Sequence, residues 1–371
     1  MRGIDWFWKR MVPLRGYAMC LWLGACVLGL SLPNANAASP DTQPASDPVV
    51  QMLENALTTA IGPSRYAVHV HTEVDHLNDE KPADATKELI DQNLFVDGVR
   101  LDIAQTTFKQ SGTGPVEPFL IIRSIWDGSR YSFREQDLKS RTKQIMVAAS
   151  SRREDIDGSL TSYDSGTFLM GQLQYDEKPM IGILKDSGTC KFEGQEDIRG
   201  HQCSIVEAKT PEGQYRLSLD PQTGYSICKA SVTKSTGDRL KSQPLPITVG
   251  KMKIIDVQVN LQILHTERIA NYYVPMEGEM EVWIHTDDGK TMHERHTVKR
   301  TRFEVDPDFA SHKAFIMDNI PEGIPVFLQD RAKDDHLSYI WKNGQVVKDD
   351  DGFTSDKIDA IVNQEKNATQ K

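Results

Sequence analysis

The stretch Ile255–Ile263 constrains the fold more than any other part of this chain, because apolar and polar side chains alternate in it without exception. Successive side chains on a β-strand point to opposite faces, so the alternation predicts a strand with one apolar and one polar face. A helix would distribute the same residues around its circumference. A strand of this kind belongs to an antiparallel sheet that covers a core, or a ligand, on one side only.

Weaker versions of this alternation recur along the chain, separated by short turns. Residues 93–104 and 119–133 are predicted to be β-hairpins, because each segment contains a central Asp-Gly pair, Asp97-Gly98 or Asp127-Gly128. Such a pair supplies the positive φ that tight hairpin turns require. Further strands are predicted across residues 189–306. The chain is therefore expected to build a large antiparallel sheet.

Helical patterns occur in two places. Asp47-Pro48 favours a helix start, and apolar residues follow at helical spacing up to Ile61. Residues 144–175 are polar at first and then carry Phe168 and Met170 in a helical pattern, so they are predicted to pack as an insertion on the open face of the sheet. The predicted fold class is α+β and mostly β, with one large curved antiparallel sheet, an N-terminal helix and a helical plug insertion.

Residues 1–37 are predicted to be a signal peptide and are left out of the fold prediction. A basic region precedes the apolar run Tyr17–Leu32, and Ala35-Asn36-Ala37 provides a small-residue cleavage site. The apolar run is shorter than the roughly 20 residues that span a membrane. No later stretch approaches that length, so the mature chain is expected to have no transmembrane segment.

Cleavage near Ala37-Ala38 predicts a periplasmic or secreted protein. A minor alternative is a lipid anchor at Cys26, because Leu23-Gly24-Ala25-Cys26 resembles the sequence at which bacterial lipoproteins are cut and acylated. Cys20 and Cys26 leave with a cleaved signal peptide, and three cysteines remain. At most one disulfide can form among them in an oxidising compartment. Cys190–Cys203 is the preferred pair, since these residues flank a predicted hairpin, and Cys203–Cys228 is the alternative.

Charge and motif content narrow the function classes. The formal net charge of −10 gives a nucleic-acid role little electrostatic support. The sequence contains no nucleophile elbow and no glycine-rich phosphate loop, and no cofactor is expected. Two strings, at 164–167 and 186–189, match the Asp-Ser-Gly-Thr motif of aspartic proteases. They are too close in sequence to occupy the two lobes that this chemistry needs.

Two histidine patterns were considered as metal sites. His69, His71 and Glu73 lie on one face of a predicted strand, but that face is expected to be solvated. His293 and His296 would need a helix to align their imidazoles, and their surroundings predict a strand. No metal site and no catalytic residue are therefore assigned. The chain is not expected to be an enzyme, and a secreted hydrolase remains the third alternative.

The strand pattern after residue 199 is similar to that of the lipoprotein-sorting carrier (LolA-like) superfamily of exported bacterial proteins. Gly200–Glu207 predicts a strand entered after a Gly turn, Tyr215–Pro221 a strand that ends in an Asp-Pro turn, and Gly224-Tyr225 the start of the next. The resemblance covers residues 50 to 305. It implies a half-barrel, in which a curved sheet surrounds an apolar cavity closed by helices, and a role in binding lipid anchors or other hydrophobic molecules.

The expected organisation of the chain combines this resemblance with the composition of its other segments. After the signal peptide come a flexible mature terminus at 38–47 and the half-barrel domain at 48–305. A C-terminal loop and hairpin at 306–347 pack on the same domain, and an acidic, partly disordered tail covers 348–371. The segment 306–371 has no counterpart in the family.

The apolar face of the alternating strands supplies the candidate ligand-binding residues. The predicted lining, with Phe168 and Met170 as plug residues, consists of Tyr66, Val68, Leu101, Ile103, Phe168, Met170, Val257, Val259 and Leu261. The alternative is that these side chains simply fill a core. The leading hypothesis is a periplasmic protein that binds a lipid, or the acyl chain of an envelope lipoprotein. The second is an envelope interaction or sensor protein with a dry core and a protein partner.

Overall fold

The computed structural model describes residues 48–77, 86–111, 114–138, 145–150, 166–240, 243–249, 252–317, 320–328 and 338–349. The predicted signal peptide, the mature terminus at 38–47, the lipid-anchor alternative at Cys26 and the tail beyond residue 349 lie outside the described residues. So do the first two residues of the motif at 164–167. Among the described helices, none combines the length and the apolar character needed to cross a membrane.

The predicted N-terminal helix is confirmed. Helix α1 spans Pro48–Ile61, and Leu53 and Ala56 on one side of it are at most 1% exposed. A 3₁₀ helix at Thr167–Met170, which we call the plug helix, and helix α2 at Met180–Ser187 follow in the insertion region. A further 3₁₀ turn occupies Pro221–Thr223.

The strands of the first half form a meander. Their bounds are β1 Arg65–Leu77, β2 Thr86–Asp97, β3 Arg100–Ser111, β4 Glu117–Trp126, β5 Tyr131–Asp137 and β6 Ile145–Ser150. The β2–β3 pair closes at Asp97↔Arg100 and the β4–β5 pair at Trp126↔Tyr131. Both predicted Asp-Gly hairpins are therefore confirmed. Gly98 has φ +60°, the left-handed conformation that glycine adopts without a Cβ penalty.

The second half contributes the remaining strands. Their bounds are β7 Lys191–Ile198, β8 His201–Thr210, β9 Gly213–Asp220, β10 Ser226–Lys234, β11 Arg239–Leu240, β12 Gln243–Pro244, β13 Ile247–Val249, β14 Met252–Ile269, β15 Tyr272–Thr286, β16 Thr291–Val305, β17 Val326–Leu328, β18 Ser338–Lys342 and β19 Gln345–Asp349. Strands β14 and β15 pair as a long antiparallel hairpin.

Fifteen of the described strands join one sheet, in the order β17-β6-β5-β4-β3-β2-β1-β16-β15-β14-β10-β9-β8-β7, with β13 beside β14. All neighbours are antiparallel except β17 and β6. The pairing of β1 with β16 joins the two halves of the chain in the middle of the sheet. The sheet is curved and does not close into a barrel, so the predicted α+β half-barrel architecture is confirmed.

Strand β14 confirms the alternation from which the fold was predicted. Val257, Val259, Leu261 and Ile263 are at most 6% exposed, while the polar residues between them face solvent. The register with β15 shifts between residues 254 and 256, so Ile255 leaves the buried row and the side chain before it takes that position. Each buried Val, Leu or Ile contributes about 1.5–3 kcal/mol to folding.

The C-terminal segment lies against the face of β1–β4 that is opposite to the face covered by the helices. The backbone N–H of Phe315 donates to Asp102 Oδ2 at 2.7 Å, and the Arg123 guanidinium donates to the same oxygen at 2.9 Å and to the carbonyl of Lys313 at 3.1 Å. Asp102 is thereby completely buried. We call residues 306–317 the strap. Beyond it, β17 pairs with β6, and Val147, Ile324, Val326 and Trp341 form a small second core.

Candidate functional site

The candidate site is the face of the sheet on which α1, the plug helix and α2 pack, which we call the inner face. Six of the predicted lining residues are at most 4% exposed there and belong to one continuous core: Val68, Ile103, Phe168, Val257, Val259 and Leu261. Tyr66 and Leu101 are half-buried and pack against that core, and Met170 is also half-buried. The structure thus brings the predicted residues onto one face. That they line a ligand site remains a prediction.

The plug helix packs against a glycine of the sheet. A Cβ atom at Gly278 of β15 would lie only 2.6 Å from Leu169 Cδ2 and 3.0 Å from the carbonyl oxygen of Gln262. The absence of a side chain at this position therefore lets the plug helix approach the strand. Leu169, which is 2% exposed, is not among the predicted lining residues. An isolated glycine within a strand pattern is the signal that could have found its contact, since it often marks a close approach.

A buried arginine joins the plug helix to the sheet. Arg300 of β16 is 8% exposed and lies on the inner face, in the same row as Val298. Its guanidinium donates to the backbone carbonyl of Pro275 at 3.0 Å and to that of Gly166 at 3.4 Å, and it contacts Met170 Sδ at 3.5 Å. The sequence analysis did not single out this residue. The signal that could have identified it is an arginine at a position where the alternation of the strand predicts an inward-facing side chain.

A band of buried polar side chains crosses the inner face on β1 to β4. Gln92 donates to Gln105 Oε1 at 3.3 Å, and Gln105 donates to Thr107 Oγ1 at 3.0 Å. Thr72 and Ser124 complete the band, and none of the five residues is more than 5% exposed. Sequence reasoning missed the band, because it attended to the apolar members of each strand. The inner face therefore combines a large apolar area with a few polar groups, which is the usual composition of small-molecule sites.

A charged cluster lies at one end of the inner face. Glu294 accepts from His296 Nε2 at 3.1 Å and lies 3.2 Å from His76 Nδ1. Hydrogen bonds from His296 and His76 lower the pKa of Glu294 to about 2. The hydrogen bond with Glu294 raises the pKa of His76. Burial and the Glu294 charge raise the pKa of Tyr175.

A second buried cluster joins the insertion to β9 and β10. Lys234 Nζ lies 2.6 Å from Asp176 Oδ1, and both side chains are fully buried. The Tyr215 hydroxyl donates to the same oxygen at 2.9 Å, while Lys234 also donates to the Arg239 carbonyl at 3.1 Å. Burial raises the pKa of Asp176 in spite of the opposing Lys234 charge. A polar cavity of about 40 Å³ adjoins this region, lined by Glu177, Lys178, Ile183, Glu212 and Arg239.

The side chains of the histidine and Asp-Ser-Gly-Thr motifs have ordinary structural partners. His71 Nδ1 lies 2.7 Å from Asp91 Oδ1, and Glu73 accepts from Lys87. In the described part of the chain, no three His, Cys, Asp or Glu side chains are grouped so as to hold a metal ion. Asp186, in the motif at 186–189, pairs with Lys178 at the exposed end of α2.

The surroundings of His293 and His296 form strand β16, as predicted. His293 stacks on Trp283 with ring centroids 4.7 Å apart. The three-residue spacing on a strand sends the two imidazoles to opposite faces of the sheet, so they do not form one site.

The structure does not bring the preferred cysteine pair together. In the β7–β8 hairpin Cys203 stands opposite Glu196, whereas Cys190 precedes Lys191, which pairs with Glu207 at the far end of the hairpin. The register therefore separates the two cysteines along the strands. Cys203 Sγ instead lies 3.2 Å from the sulfur of Cys228, the alternative pair, and both residues are free thiols.

Comparison with solved structures finds fourteen similar chains. No protein-family model matches the chain, and no curated protein matches it. The structure is similar to the crystal structure of LprF from Mycobacterium bovis, with 14% sequence identity over 70% of this chain and 93% of that chain, at a TM-score of 0.27.

Proposed function

We propose that this is an exported protein that binds a hydrophobic ligand, a lipid or the acyl chain of an envelope lipoprotein, on the inner face of its sheet. The observation that carries the proposal is the plug helix. This four-residue element covers the apolar face with two buried side chains, Phe168 and Leu169. A helix of a single turn has almost no hydrogen-bond ladder of its own and depends on its packing. A ligand that offers equivalent apolar contacts can therefore displace it.

The free energies of displacement and ligand burial are comparable. Exposing Phe168 and Leu169 costs about 3–6 kcal/mol, at about 1.5–3 kcal/mol for each side chain. An acyl chain gains about 0.8 kcal/mol for each buried methylene, so about eight methylenes offset the lost contacts. Common lipid chains exceed that length. The polar band around Gln92 and Gln105 supplies hydrogen-bonding groups suited to the ester or amide oxygens of such a ligand.

Native mass spectrometry tests the proposal directly. The mature protein is purified from an envelope fraction without lipid-stripping detergent, and we expect an additional mass that organic solvent extracts as lipid. Uptake of a fluorescent fatty acid should be faster in Phe168→Ala, because the plug helix loses half of its anchor. Val99→Ala serves as the control, since Val99 is 50% exposed in the β2–β3 turn. A bare protein mass, together with failure to bind added lipid or an apolar dye, would overturn the proposal.

A second candidate function is an envelope interaction or sensor protein with a dry core. It is favoured by the side chains of Val257, Val259 and Leu261, which are at most 2% exposed beneath the protein's own residues. Under this alternative no lipid is extracted from the purified protein. A specific protein should then be retained in a pull-down from envelope extracts, and prior extraction of lipid should leave the amount retained unchanged.

A further inference from the structure

Two cysteines, the buried Cys203 and the half-buried Cys228, bring their sulfur atoms together on the outer side of the sheet. Cys203 lies on β8 and Cys228 on β10, with β9 between them. The register of β9 and β10 shifts between Ile227 and Lys229, so Cys228 occupies a bulge. The two Sγ atoms are 3.2 Å apart. Since a disulfide is about 2.05 Å long, the two sulfur atoms must approach each other by about 1.2 Å for the bond to form.

We propose that Cys203 and Cys228 form the disulfide of the mature protein and that Cys190 remains a free thiol. The oxidant is a disulfide, either a small molecule or a thiol–disulfide oxidoreductase. The thiolate of one cysteine attacks a sulfur of the oxidant and releases one reduced thiol. The second cysteine then attacks the mixed disulfide and releases the other. Two electrons pass to the oxidant, and the two cysteine protons leave with its two thiols.

The surroundings of the pair predict when the bond forms. Burial raises the pKa of both the Cys203 and the Cys228 thiols above their ordinary value. The thiolate is the attacking species, so the folded dithiol reacts slowly with an oxidant in solution. We therefore expect oxidation during folding, before β8 and β10 are fully packed. Once formed, the bond is shielded from reductants by the same burial.

The bond would fix the position of the turn that α1 contacts. Asp220 ends β9 beside the two thiols, caps the turn through Gln222 N and accepts a 2.8 Å hydrogen bond from His201. The Thr59 hydroxyl of α1 donates to the carbonyl of Gly224 at 2.7 Å, in the same turn. A covalent link between β8 and β10 therefore ties the start of β10, which follows this turn, to β8.

Peptide mapping distinguishes all possible pairings, because trypsin separates the three cysteines. Cleavage after Lys and Arg places Cys203 in the peptide 200–209, Cys228 in 217–229 and Cys190 in 186–191. The full-length mature protein is denatured and refolded with oxidised and reduced glutathione, alkylated with iodoacetamide in denaturant, and digested without reduction. We expect 200–209 joined to 217–229, with 186–191 alkylated.

Two variants complete the test. Cys190→Ser should retain the cross-linked peptide pair, and Cys228→Ser should lose it and show one additional alkylated peptide. Recovery of 186–191 joined to either of the other peptides would overturn the proposal. So would alkylation of all three cysteines after oxidative refolding of a protein whose circular dichroism is native. Cys190→Ser is the informative variant if Cys228→Ser does not fold.

Discussion

At the scale of single residues, the buried Lys234–Asp176 pair makes a sharp stability prediction. Asp176→Asn removes one charge from a pair whose side chains are both fully buried, and leaves the Lys234 ammonium uncompensated. Breaking a buried pair in this way costs about 3–5 kcal/mol. The free energy of unfolding, measured in urea, should fall by that amount.

The matched control for this variant is the exposed pair of Lys178 and Asp186, whose side chains are about 60% exposed. Asp186→Asn should change the free energy of unfolding by about 0–1 kcal/mol, as is usual for surface ion pairs. Equal effects of the two substitutions would show that the Lys234–Asp176 pair does not anchor the insertion.

The second residue-scale prediction concerns pH. The pKa of Glu294 falls from 4.5 to about 2 on folding, so its contribution to stability is fully present above 4.5 and is lost as pH falls toward 2. The pKa of His76 is raised above 6.5, so its contribution is present below 6.5 and is lost as pH rises through the folded value. Both contributions are present together between pH 4.5 and 6.5.

Glu294→Gln tests this window, because it removes the shared partner of both histidines. The melting temperature of the variant should fall furthest below that of the natural protein between pH 4.5 and 6.5. The difference should shrink at lower pH and partly at higher pH. A difference that stays constant from pH 3 to pH 8 would contradict the linkage.

At the scale of elements, the feature to test is the contact between the plug helix and Gly278. Gly278→Ala adds a Cβ that meets Leu169 Cδ2 at 2.6 Å. The backbone at Gly278 is an ordinary strand, so the effect is one of overpacking. We expect a loss of about 1–3 kcal/mol in unfolding free energy and faster hydrogen exchange confined to the plug helix.

A double-mutant cycle isolates this contact. Leu169→Ala alone should destabilise the protein by removing buried apolar surface. Combined with Gly278→Ala, it should cost less than the sum of the two single changes, because the added methyl group then no longer meets Leu169 Cδ2. Strict additivity would mean that the two residues do not press on each other.

The elements themselves could largely be predicted from the sequence, and the reason is periodicity. The strand around Val259 and the hairpins with Asp-Gly turns are specified by neighbouring residues, which a local pattern records. The contact of Leu169 with Gly278 and the position of Arg300 beneath the plug helix depend on pairing between distant strands. The proximity of Cys203 to Cys228 depends on distant strands for the same reason, since it follows from the register of β8, β9 and β10.

The polar members of the candidate site were harder to predict than its apolar members. Val68 and Ile103 could be assigned to the inner face because alternation fixes the face of each strand residue. Gln92 and Gln105 obey the same alternation, but a polar residue at an inward position looks like an interruption of the pattern until its partners on the next strand are known. The pairing register of the strands determines those partners, and that register depends on residues far apart in the sequence.

At the scale of the whole molecule, the strap joins the end of the chain to the opposite face of the first strands. Asp102, completely buried, accepts from the backbone of Phe315 and from Arg123, which in turn donates to the Lys313 carbonyl. The Phe315 ring also lies beneath Arg100, with 4.5 Å between the guanidinium carbon and the ring centroid. One carboxylate therefore organises the contact between the strap and the sheet.

Asp102→Asn tests this organisation with almost no change in shape. The substitution weakens the three hydrogen bonds that Asp102 accepts from Arg123 and the Phe315 backbone, and we expect a loss of about 2–3 kcal/mol in unfolding free energy. Limited proteolysis should then cleave first within residues 306–317. Asp306→Asn is the matched control, because Asp306 also belongs to the strap but its side chain is 71% exposed where it pairs with Arg65. If both variants resist protease like the natural protein, the strap is held by its aromatic contacts instead of by Asp102.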